Sequence, residues 1–483
     1  MTGDPRWLAL VVLCAGMLMI VLDATIVNVA LPSIQSDLGF SQSSLAWVVN
    51  AYLIAFGGAL LLAGRLGDLL GQRRVFLAGL VVFTAASLVC GLSISQEMLV
   101  AARFVQGVGG AMTSAVILGM VVTMFGEPRE RARAIGIYSF VAAAGASIGL
   151  LAGGFLTAAL NWHWIFFVNV PVGIVTAFFA VRLVGSDHGI GLSEGADVVG
   201  AFLVTAALLL SVYTIIRTTD FGWGSAQTLG FGAAATASLI AFVVRESRIA
   251  NPLVPLRIFR SRDVSGANVV LLLIFAAMFG VFFLGSLFFQ RVLGYDPLGI
   301  GLAFLPFSVA IGTMSFAFSG PLISRFGARA VLLPSVVLIG AGLVFFARVP
   351  VEADYLIDVL PSMLLLGMGF GLAFPSLMAL AMSGATEHDP GLASGLVNTT
   401  QQVGGALGLA VLASLSASQT NGLLARSVAE PAALTNGYQR SFAIGAGLVL
   451  AAFAVAGTVL RPAVQAHVGL SQQAGAVERR GQG

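Results

Sequence analysis

The chain has 483 residues, of which 58% are hydrophobic and only 9% are charged. Soluble domains carry about 25% charged residues, so this composition excludes a water-soluble globular protein and favours one whose surface faces lipid. The formal net charge of +3 is too small and too dispersed for a nucleic-acid-binding surface. All 24 basic residues are arginine and 59 residues are glycine, which is typical of GC-rich coding and indicates a bacterial source.

Fourteen apolar stretches are long enough to cross a bilayer, which takes about 20 mostly apolar residues. They lie at residues 8–32, 46–63, 75–95, 98–125, 134–158, 162–183, 196–216, 227–245, 268–289, 299–321, 329–348, 355–381, 393–417 and 440–461. The first is longer than a signal-peptide core and contains an acidic residue, so we interpret it as a retained helix. The sequence therefore predicts an all-α integral membrane protein.

The placement of arginine predicts the orientation of the chain. With the N-terminus in the cytoplasm, 18 of the 24 arginines fall on the inner side, 5 fall on the outer side, and Arg103 lies within a span. Arginine is enriched in cytoplasmic loops of membrane proteins. Because the number of spans is even, both termini are predicted to be cytoplasmic.

Two loops repeat at a constant offset of 256 residues. Gly64–Arg73 follows the second span and Gly320–Arg329 follows the tenth, and their framing Gly, Leu, Gly and Arg residues coincide. Two six-span repeats around a midplane site are a common plan of secondary transporters. The predicted divisions are a first six-helix bundle at 1–185, two inserted helices and a linker at 186–262, a second six-helix bundle at 263–465, and a disordered cytoplasmic tail at 466–483.

Two charged residues lie well inside the spans. Asp23 is the only acidic residue well inside a span, and Arg103 is the only basic one. At 1.5 Å per residue they lie about 12 Å and about 8 Å from the outer ends of their helices, which is a similar height. A buried carboxylate is costly unless it is paired or protonated. We predict that the two residues communicate and couple proton binding to transport, the alternative being a structural hydrogen bond.

A short cytoplasmic turn joins the second and third spans. It begins at Gly64, and Gly67 and Gly71 permit the positive φ that such a short turn requires. Asp68 can cap a helix or pair with Arg73 or Arg74. The alternative interpretation is that these arginines are only a topology signal.

The fifth span carries Gly145, Gly149, Gly153 and Gly154. Small residues at this spacing leave a smooth face on which another helix packs closely. Such a face suits either a sliding contact between the two halves or static packing.

Polar and aromatic residues inside the spans are candidates for a substrate cavity. The candidates are Asn28, Trp47, Asn50, Tyr52, Gln106, Asn398, Gln401 and Gln402. An apolar, aromatic cavity with one carboxylate suits amphipathic or cationic organic compounds. Ordinary helix packing is the alternative.

Four stretches resemble the major facilitator superfamily, and specifically its fourteen-span drug:proton antiporters. They are Leu22–Pro32, Gly64–Arg74, Arg103–Gly110 and Gly136–Gly154. The sequence departs from the family pattern at three places, which are Leu150 in place of a proline, Trp162-His163-Trp164 in place of Trp-Arg-Trp, and Ser324 opposite Asp68. The resemblance implies the major-facilitator fold, a central cavity lined by the first and fourth helices, and a Gly64–Arg74 turn that closes the cytoplasmic side.

The resemblance also implies proton-coupled efflux of amphipathic or cationic organic compounds through a monomeric unit in the plasma membrane. The alternative is an exporter or importer of one metabolite, such as an amino acid or a self-made antibiotic, on the same scaffold. An ATP-driven pump is excluded because a phosphate loop needs lysine. No enzyme activity, cofactor, metal or nucleic-acid partner is expected, and Cys14 and Cys90 read as core residues.

Overall fold

We describe the protein from a computed structural model. The structure describes residues 5–125, 127–185, 187, 189, 191, 197–249, 252–254, 256–382 and 390–460. The predicted disordered tail at 466–483 lies outside the described residues. The α-helices are α1 Pro5–Leu38, α2 Ala46–Leu70, α3 Gln72–Gly91, α4 Gln96–Met124, α5 Pro128–Ala159, α6 Trp164–Phe167, α7 Asn169–Leu183, α8 Val198–Phe221, α9 Ala226–Glu246, α10 Arg262–Arg291, α11 Pro297–Thr313, α12 Gly320–Phe326, α13 Ala328–Phe346, α14 Leu360–Met382, α15 Pro390–Leu424 and α16 Glu430–Thr458.

Three short helical turns complete the described architecture. Leu256–Arg260 is a 3-10 turn before α10, Met314–Ser319 is a π-helical turn that joins α11 to α12, and Tyr355–Val359 is a π-helical turn that leads into α14. Helices dominate because the bilayer core offers no water to backbone N–H and C=O groups, so each apolar segment must satisfy its own backbone.

The predicted all-α membrane architecture is confirmed. In the described part of the chain, thirteen helices are long and apolar enough to span a bilayer. The remaining predicted span, 134–158, falls within the 32-residue helix α5, whose described apolar stretch, Ile148–Ala159, is shorter than that length. The inserted spans predicted at 196–216 and 227–245 correspond to α8 and α9.

The repeated loops have the same geometry in both halves. Gly71 and Gly327 have φ values of 100° and 85°, a conformation open to glycine, and each separates two helices. Arg73 donates to the carbonyl of Val181 near the end of α7, and Arg329 donates to the carbonyl of Gly457 near the end of α16 at 2.6 Å. The offset of 256 residues therefore corresponds to a structural repeat. We call the end of the bundle with these turns the inner end, and the opposite end the outer end.

The two halves meet along two main seams, with a smaller contact between α1 and α10. Helix α2 packs against α15, and α5 packs against α11. Helix α8 contacts both α2 and α15 and therefore lies over the first seam, with α9 packed on its other side. At the outer end, Gln42 donates to Ser416 at 3.3 Å across the halves. The inserted pair is thus an addition to one side of a two-bundle core.

Candidate functional site

Asp23 lies at the centre of a buried polar network in the first half. Its side chain is fully buried, in the outer half of α1. Three side chains from two other helices donate to it: Arg103 Nη1 to Oδ2 at 2.5 Å, Gln106 Nε2 to Oδ1 at 2.7 Å, and Asn169 Nδ2 to Oδ1 at 3.0 Å. The network ties α1 to α4 and α7.

Arg103 approaches Asp23 from α4 and is 1% exposed. Its Nε donates to the Val48 carbonyl at 3.0 Å, so the same side chain also reaches α2. The guanidinium carbon lies 4.4 Å from the ring centroid of Tyr52 and 5.6 Å from that of Phe166. Aromatic faces stabilise a cation that has lost its water. Arg103 is therefore held on several sides and not by Asp23 alone.

Gln106 completes the network one helical turn after Arg103. Its Oε1 accepts from Arg103 at 2.7 Å, and its Nε2 also donates to Ser87 Oγ on α3 at 2.8 Å. Ser87 in turn donates to the Phe83 carbonyl. Gln106 thus contacts both charged partners and passes the network to a fourth helix.

This arrangement can respond to a proton. A buried ion pair is stable only while both charges are present and hydrogen-bonded, and removing one charge leaves the other uncompensated. Protonation of Asp23 would weaken its bond from Arg103 while leaving Arg103 its contacts with Val48 and the two aromatic rings. The network therefore has a chemical means of loosening α1 from α4.

The predicted gate turn differs from expectation in its capping residue. Asp68 is exposed, and its carboxylate makes no hydrogen bond or ion pair with the described part of the chain, because it lies within α2 before the break at Gly71. Asp187 takes that role instead. Its carboxylate accepts hydrogen bonds from two backbone amides at the start of α3, that of Gln72 and, at 3.1 Å, that of Arg73.

The other gate residues are distributed around the turn. Arg73 donates to the Val181 carbonyl, Arg74 donates to the Leu70 carbonyl at 3.5 Å, and Gly64 faces open space. A cavity of about 200 Å³ borders the turn and is lined in part by Gln72 and Asp187. The turn is thus fastened to the chain that follows α7, on the side of the first half.

The glycines of α5 lie at two different contacts. Gly145, Gly149 and Gly153 face α1, where an added Cβ would meet Leu18, Thr25 and Ile26 respectively. Gly154 faces the second half instead, and an added Cβ there would lie 2.7 Å from the Pro297 carbonyl oxygen of α11. Helix α5 runs unbroken through Leu150. The stripe therefore packs against α1 within the first half along most of its length and against the second half at its outer end.

Two cavity candidates belong to the charged network instead. The side-chain amide of Gln106 is hydrogen-bonded to Asp23, Arg103 and Ser87. Tyr52 is 2% exposed, and its ring lies against Arg103. A third candidate, Asn28, is buried and donates to backbone carbonyls of its own helix. These three side chains are engaged inside the first half.

The other cavity candidates lie on the helices that form the α2–α15 seam. Asn50 is fully buried, and within the described chain neither its oxygen nor its nitrogen has a hydrogen-bond partner. Gln401 Nε2 and Gln402 Oε1 are also buried atoms without a hydrogen-bond partner in the described chain. Gln402 packs closely on Gly57, where an added Cβ would lie 2.9 Å from the Gln402 Cβ. Asn398 is half-buried, and Trp47 lies against Tyr213 of α8 at 6.5 Å. Unpartnered polar atoms at a buried seam are available to a bound molecule.

Three contributors were missed from the sequence. Asn169 donates to Asp23, Ser87 accepts from Gln106, and Asp187 caps α3. Asn169 could have been selected from the sequence, because it is a polar residue at the start of an apolar span, as Asn50 is. A single serine or a loop aspartate is not distinguishable from the many others in the chain.

Comparison with protein families and curated proteins gives concordant results. A model of the Major Facilitator Superfamily matches residues 13–409. The puromycin resistance protein pur8 of Streptomyces alboniger is 36% identical over 481 residues, covering 99% of this chain and 94% of that protein. The cephamycin export protein CmcT of Amycolatopsis lactamdurans is 38% identical over 454 residues, covering 94% and 92%. The multidrug resistance protein Stp of Mycobacterium tuberculosis (strain ATCC 25618 / H37Rv) is 35% identical over 410 residues, covering 85% and 76%.

Solved structures agree on the fold. A bacterial homologue of the human lysosomal transporter Spinster, in an inward-facing and unoccupied conformation, has a TM-score of 0.66 at 14% identity, covering 95% of this chain and 98% of that one. An auto-inhibited POT family peptide transporter has a TM-score of 0.67 at 14% identity, with the same coverage. At this identity the likeness concerns the fold alone.

Proposed function

This chain belongs to the major facilitator superfamily, and from that premise we propose that it exports amphipathic or cationic organic compounds in exchange for protons by alternating access. The observation that carries the proposal is the fully buried Asp23 held by Arg103, Gln106 and Asn169 in a bundle otherwise poor in charge. A carboxylate in this setting binds a proton only at the expense of its ion pair, which gives the proton a conformational effect.

The proposed cycle exposes Asp23 to each side in turn. At the outer end the halves are in contact, since Gln42 donates to Ser416 and the Pro297 carbonyl lies against Gly154. The conformation described here is therefore closed on that side. A proton reaching Asp23 loosens its bond to Arg103, and the proposal requires water to reach the carboxyl group when α1 and α4 separate.

The cargo is proposed to bind between the halves, near the α2–α15 seam. Asn50, Gln401 and Gln402 supply unpartnered polar atoms there. In the second half, Phe275 of α10 packs against Phe370 of α14 at 5.4 Å, which provides aromatic surface. Such lining suits an organic compound with a large apolar part and few polar groups.

A narrower cargo is the second candidate, and the names of the relatives favour it as much as the first. CmcT and the tetracenomycin C resistance and export protein of Streptomyces glaucescens are named for single antibiotics, whereas Stp is named for multidrug resistance. This chain then exports one self-made or encountered antibiotic through the same proton-coupled cycle.

The proposed setting is the bacterial plasma membrane, with both termini and the Gly64–Arg74 turn in the cytoplasm and one chain as the transport unit. The excess of arginine at the inner end supports this orientation. The turn serves as the cytoplasmic latch, with Asp187 and not Asp68 fixing its helix.

Reconstitution in liposomes with an imposed pH gradient tests the proposal. Wild type is compared with Asp23→Asn and with Glu352→Gln, a matched acid-to-amide change at an exposed position. Uptake of a panel of dyes and antibiotics is measured with and without the gradient. We expect gradient-driven flux in wild type and Glu352→Gln, and none in Asp23→Asn. Gradient-driven flux that persists in Asp23→Asn would place the proton site elsewhere.

A further inference from the structure

A second buried acidic cluster lies at the inner ends of the inserted helices. Asp197 is the residue immediately before α8 and is 1% exposed, and Glu246 is the last residue of α9 and is 3% exposed. Neither takes part in the Asp23 network. Two carboxyl groups buried together need donors for all of their oxygens, because an unsatisfied buried acceptor is costly.

One oxygen of each carboxyl group is satisfied. Asp197 Oδ1 accepts from the Gly200 amide at 2.8 Å and from Arg245 Nε at 2.6 Å. Glu246 Oε2 accepts from the Val254 amide at 2.8 Å, in the segment 252–254 that leads toward the second half. The cluster thus joins both inserted helices to the chain that follows them.

The other oxygens face each other without a donor. Asp197 Oδ2 and Glu246 Oε1 have no hydrogen-bond partner among the described residues. Both lie beside Gly200, where an added Cβ would meet Asp197 Oδ2 and would lie 2.9 Å from Glu246 Oε1. If both groups were ionised, two acceptors and two negative charges would meet in a buried space. One proton between them supplies the missing donor and removes one charge.

Charge compensation comes from the one ion pair that the described residues form with this cluster. Arg245 of α9 pairs with Asp197, while the neighbouring elements contribute apolar side chains, namely Leu61 of α2, Val264 of α10 and Leu396 of α15, together with Leu253 and Val254. One guanidinium balances one carboxylate and leaves the other to be neutralised by a proton.

We infer that Asp197 and Glu246 share one proton and form a second proton-binding site, which fastens the inner ends of α8 and α9 to the segment 252–254. Although burial raises the pKa of Asp197, its hydrogen bonds from the Gly200 amide and the Arg245 guanidinium hold that pKa below its ordinary value. In the proposed pair Asp197, which already accepts from the Gly200 amide and from Arg245, is the ionised member, and Glu246 carries the proton and donates it to Asp197 Oδ2. This site is independent of the proposed transport cycle.

Infrared spectroscopy of the full chain in lipid nanodiscs at neutral pH tests the inference. A protonated carboxyl group gives a carbonyl stretch distinct from that of a carboxylate. We expect Glu246→Gln to lack one such band that wild type and Asp23→Asn both retain. A spectrum of Glu246→Gln that retains every protonated-carboxyl band of wild type would overturn the shared proton.

A second measurement addresses stability and needs no transport. A proton held in the folded state and released on unfolding makes the folded protein lose stability as the pH rises. The midpoint of thermal unfolding should therefore fall more steeply between neutral and alkaline pH in wild type than in Glu246→Gln, whose amide donates to Asp197 at every pH. Parallel profiles for the two proteins would contradict the site, whatever the result for Asp23.

Discussion

In the first half the helices close around a buried ion pair, whereas in the second half they close around phenylalanine. Asp23, shifted by the repeat offset of 256, corresponds to Phe279 of α10. The rings of the second half contact one another at centroid distances of 4.4–6.4 Å and include Phe275, Phe279, Phe282, Phe288, Phe289, Phe304, Phe307, Phe346, Phe370, Phe374 and Phe442.

The difference separates two ways of holding a helix bundle together. Aromatic packing depends on shape and buried area and does not change with pH. A buried ion pair depends on both charges and fails when one is removed. The repeat therefore places a bundle built around an ion pair beside a bundle built around aromatic rings, and under the proposed proton coupling the first loosens while the second stays rigid.

The largest expected effect comes from Arg103→Ala, which removes the cation of the buried ion pair in the first half. Removal of the guanidinium leaves Asp23 buried without its cation, which costs about 3–5 kcal/mol. We expect a large loss of stability in detergent and a changed pH dependence of transport in liposomes. Arg103→Lys keeps the charge but not the guanidinium geometry that reaches Val48, Asp23 and Gln106 together, so it should recover part of the stability. An unchanged pH dependence in Arg103→Ala would refute the coupling of Asp23 to Arg103.

A similar loss of stability, without the effect on pH dependence, is expected from Phe289→Ala in the other half. Phe289 is fully buried, and its ring contacts Tyr295, Phe304 and Phe346. Deleting a buried phenylalanine ring costs about 3–5 kcal/mol. Thermal unfolding should show that loss, while Phe345→Ala, at a 54% exposed position of α13, should show much less. A shifted pH dependence of transport in Phe289→Ala would mean that the second half also takes part in proton coupling.

A smaller effect is expected from Asn169→Ala, which removes one donor to Asp23. A hydrogen bond to a charged group contributes about 1.5–3 kcal/mol. The carboxylate is then less stabilised relative to its protonated form, so the pH midpoint of transport should move in the alkaline direction while transport itself persists.

The matched control for that change is Asn268→Ala in the second half. Asn268 is also buried, and it accepts from Thr400 at 2.8 Å and not from the Asp23 network. The pH midpoint of transport in Asn268→Ala should equal that of wild type. Equal midpoints in Asn169→Ala and wild type would show that the Asn169 contact is only structural.

The smallest effect on stability is expected from Gly154→Val, which tests the contact between the two halves. The new side chain would collide with the backbone at Pro297 and Leu298 and hold the outer ends of the halves apart. In a protein that lacks Cys14 and Cys90, the disulfide yield between Gln42→Cys and Ser416→Cys should fall. Gly224→Val, at a position with open space, is the control. An undiminished yield in Gly154→Val would mean that the α5–α11 contact does not govern outer closure.

The membrane architecture could be predicted because each span carries its own apolar signal. The repeat was visible because glycine and arginine recur where a positive φ and a carbonyl partner are needed, as at Gly71 and Arg73. Helical rise placed Asp23 and Arg103 at a similar height, and the resemblance to the major facilitator superfamily implied that their helices line one cavity. These features are local or periodic, and such signals survive in a single sequence.

The partners of the charged pair could not be predicted in the same way. Asn169 meets Asp23 only because α7 packs on α1, and the sequence does not specify which helices are neighbours. Gln106 was assigned to the cavity although its position three residues after Arg103 places both on one face of α4. Asp187 caps α3 across more than a hundred residues of chain, and loop aspartates carry no periodic signal.

The position of α8 makes the two lateral edges of the molecule unlike. Along one edge, α8 and α9 cover the junction of α2 with α15, and most of α9 faces outward. Along the other edge, α5 and α11 adjoin without a helix of the inserted pair over them. A lipophilic compound dissolved in the bilayer thus meets two additional helices over the junction of α2 with α15, whereas over the described residues it meets the packed junction of α5 with α11 directly.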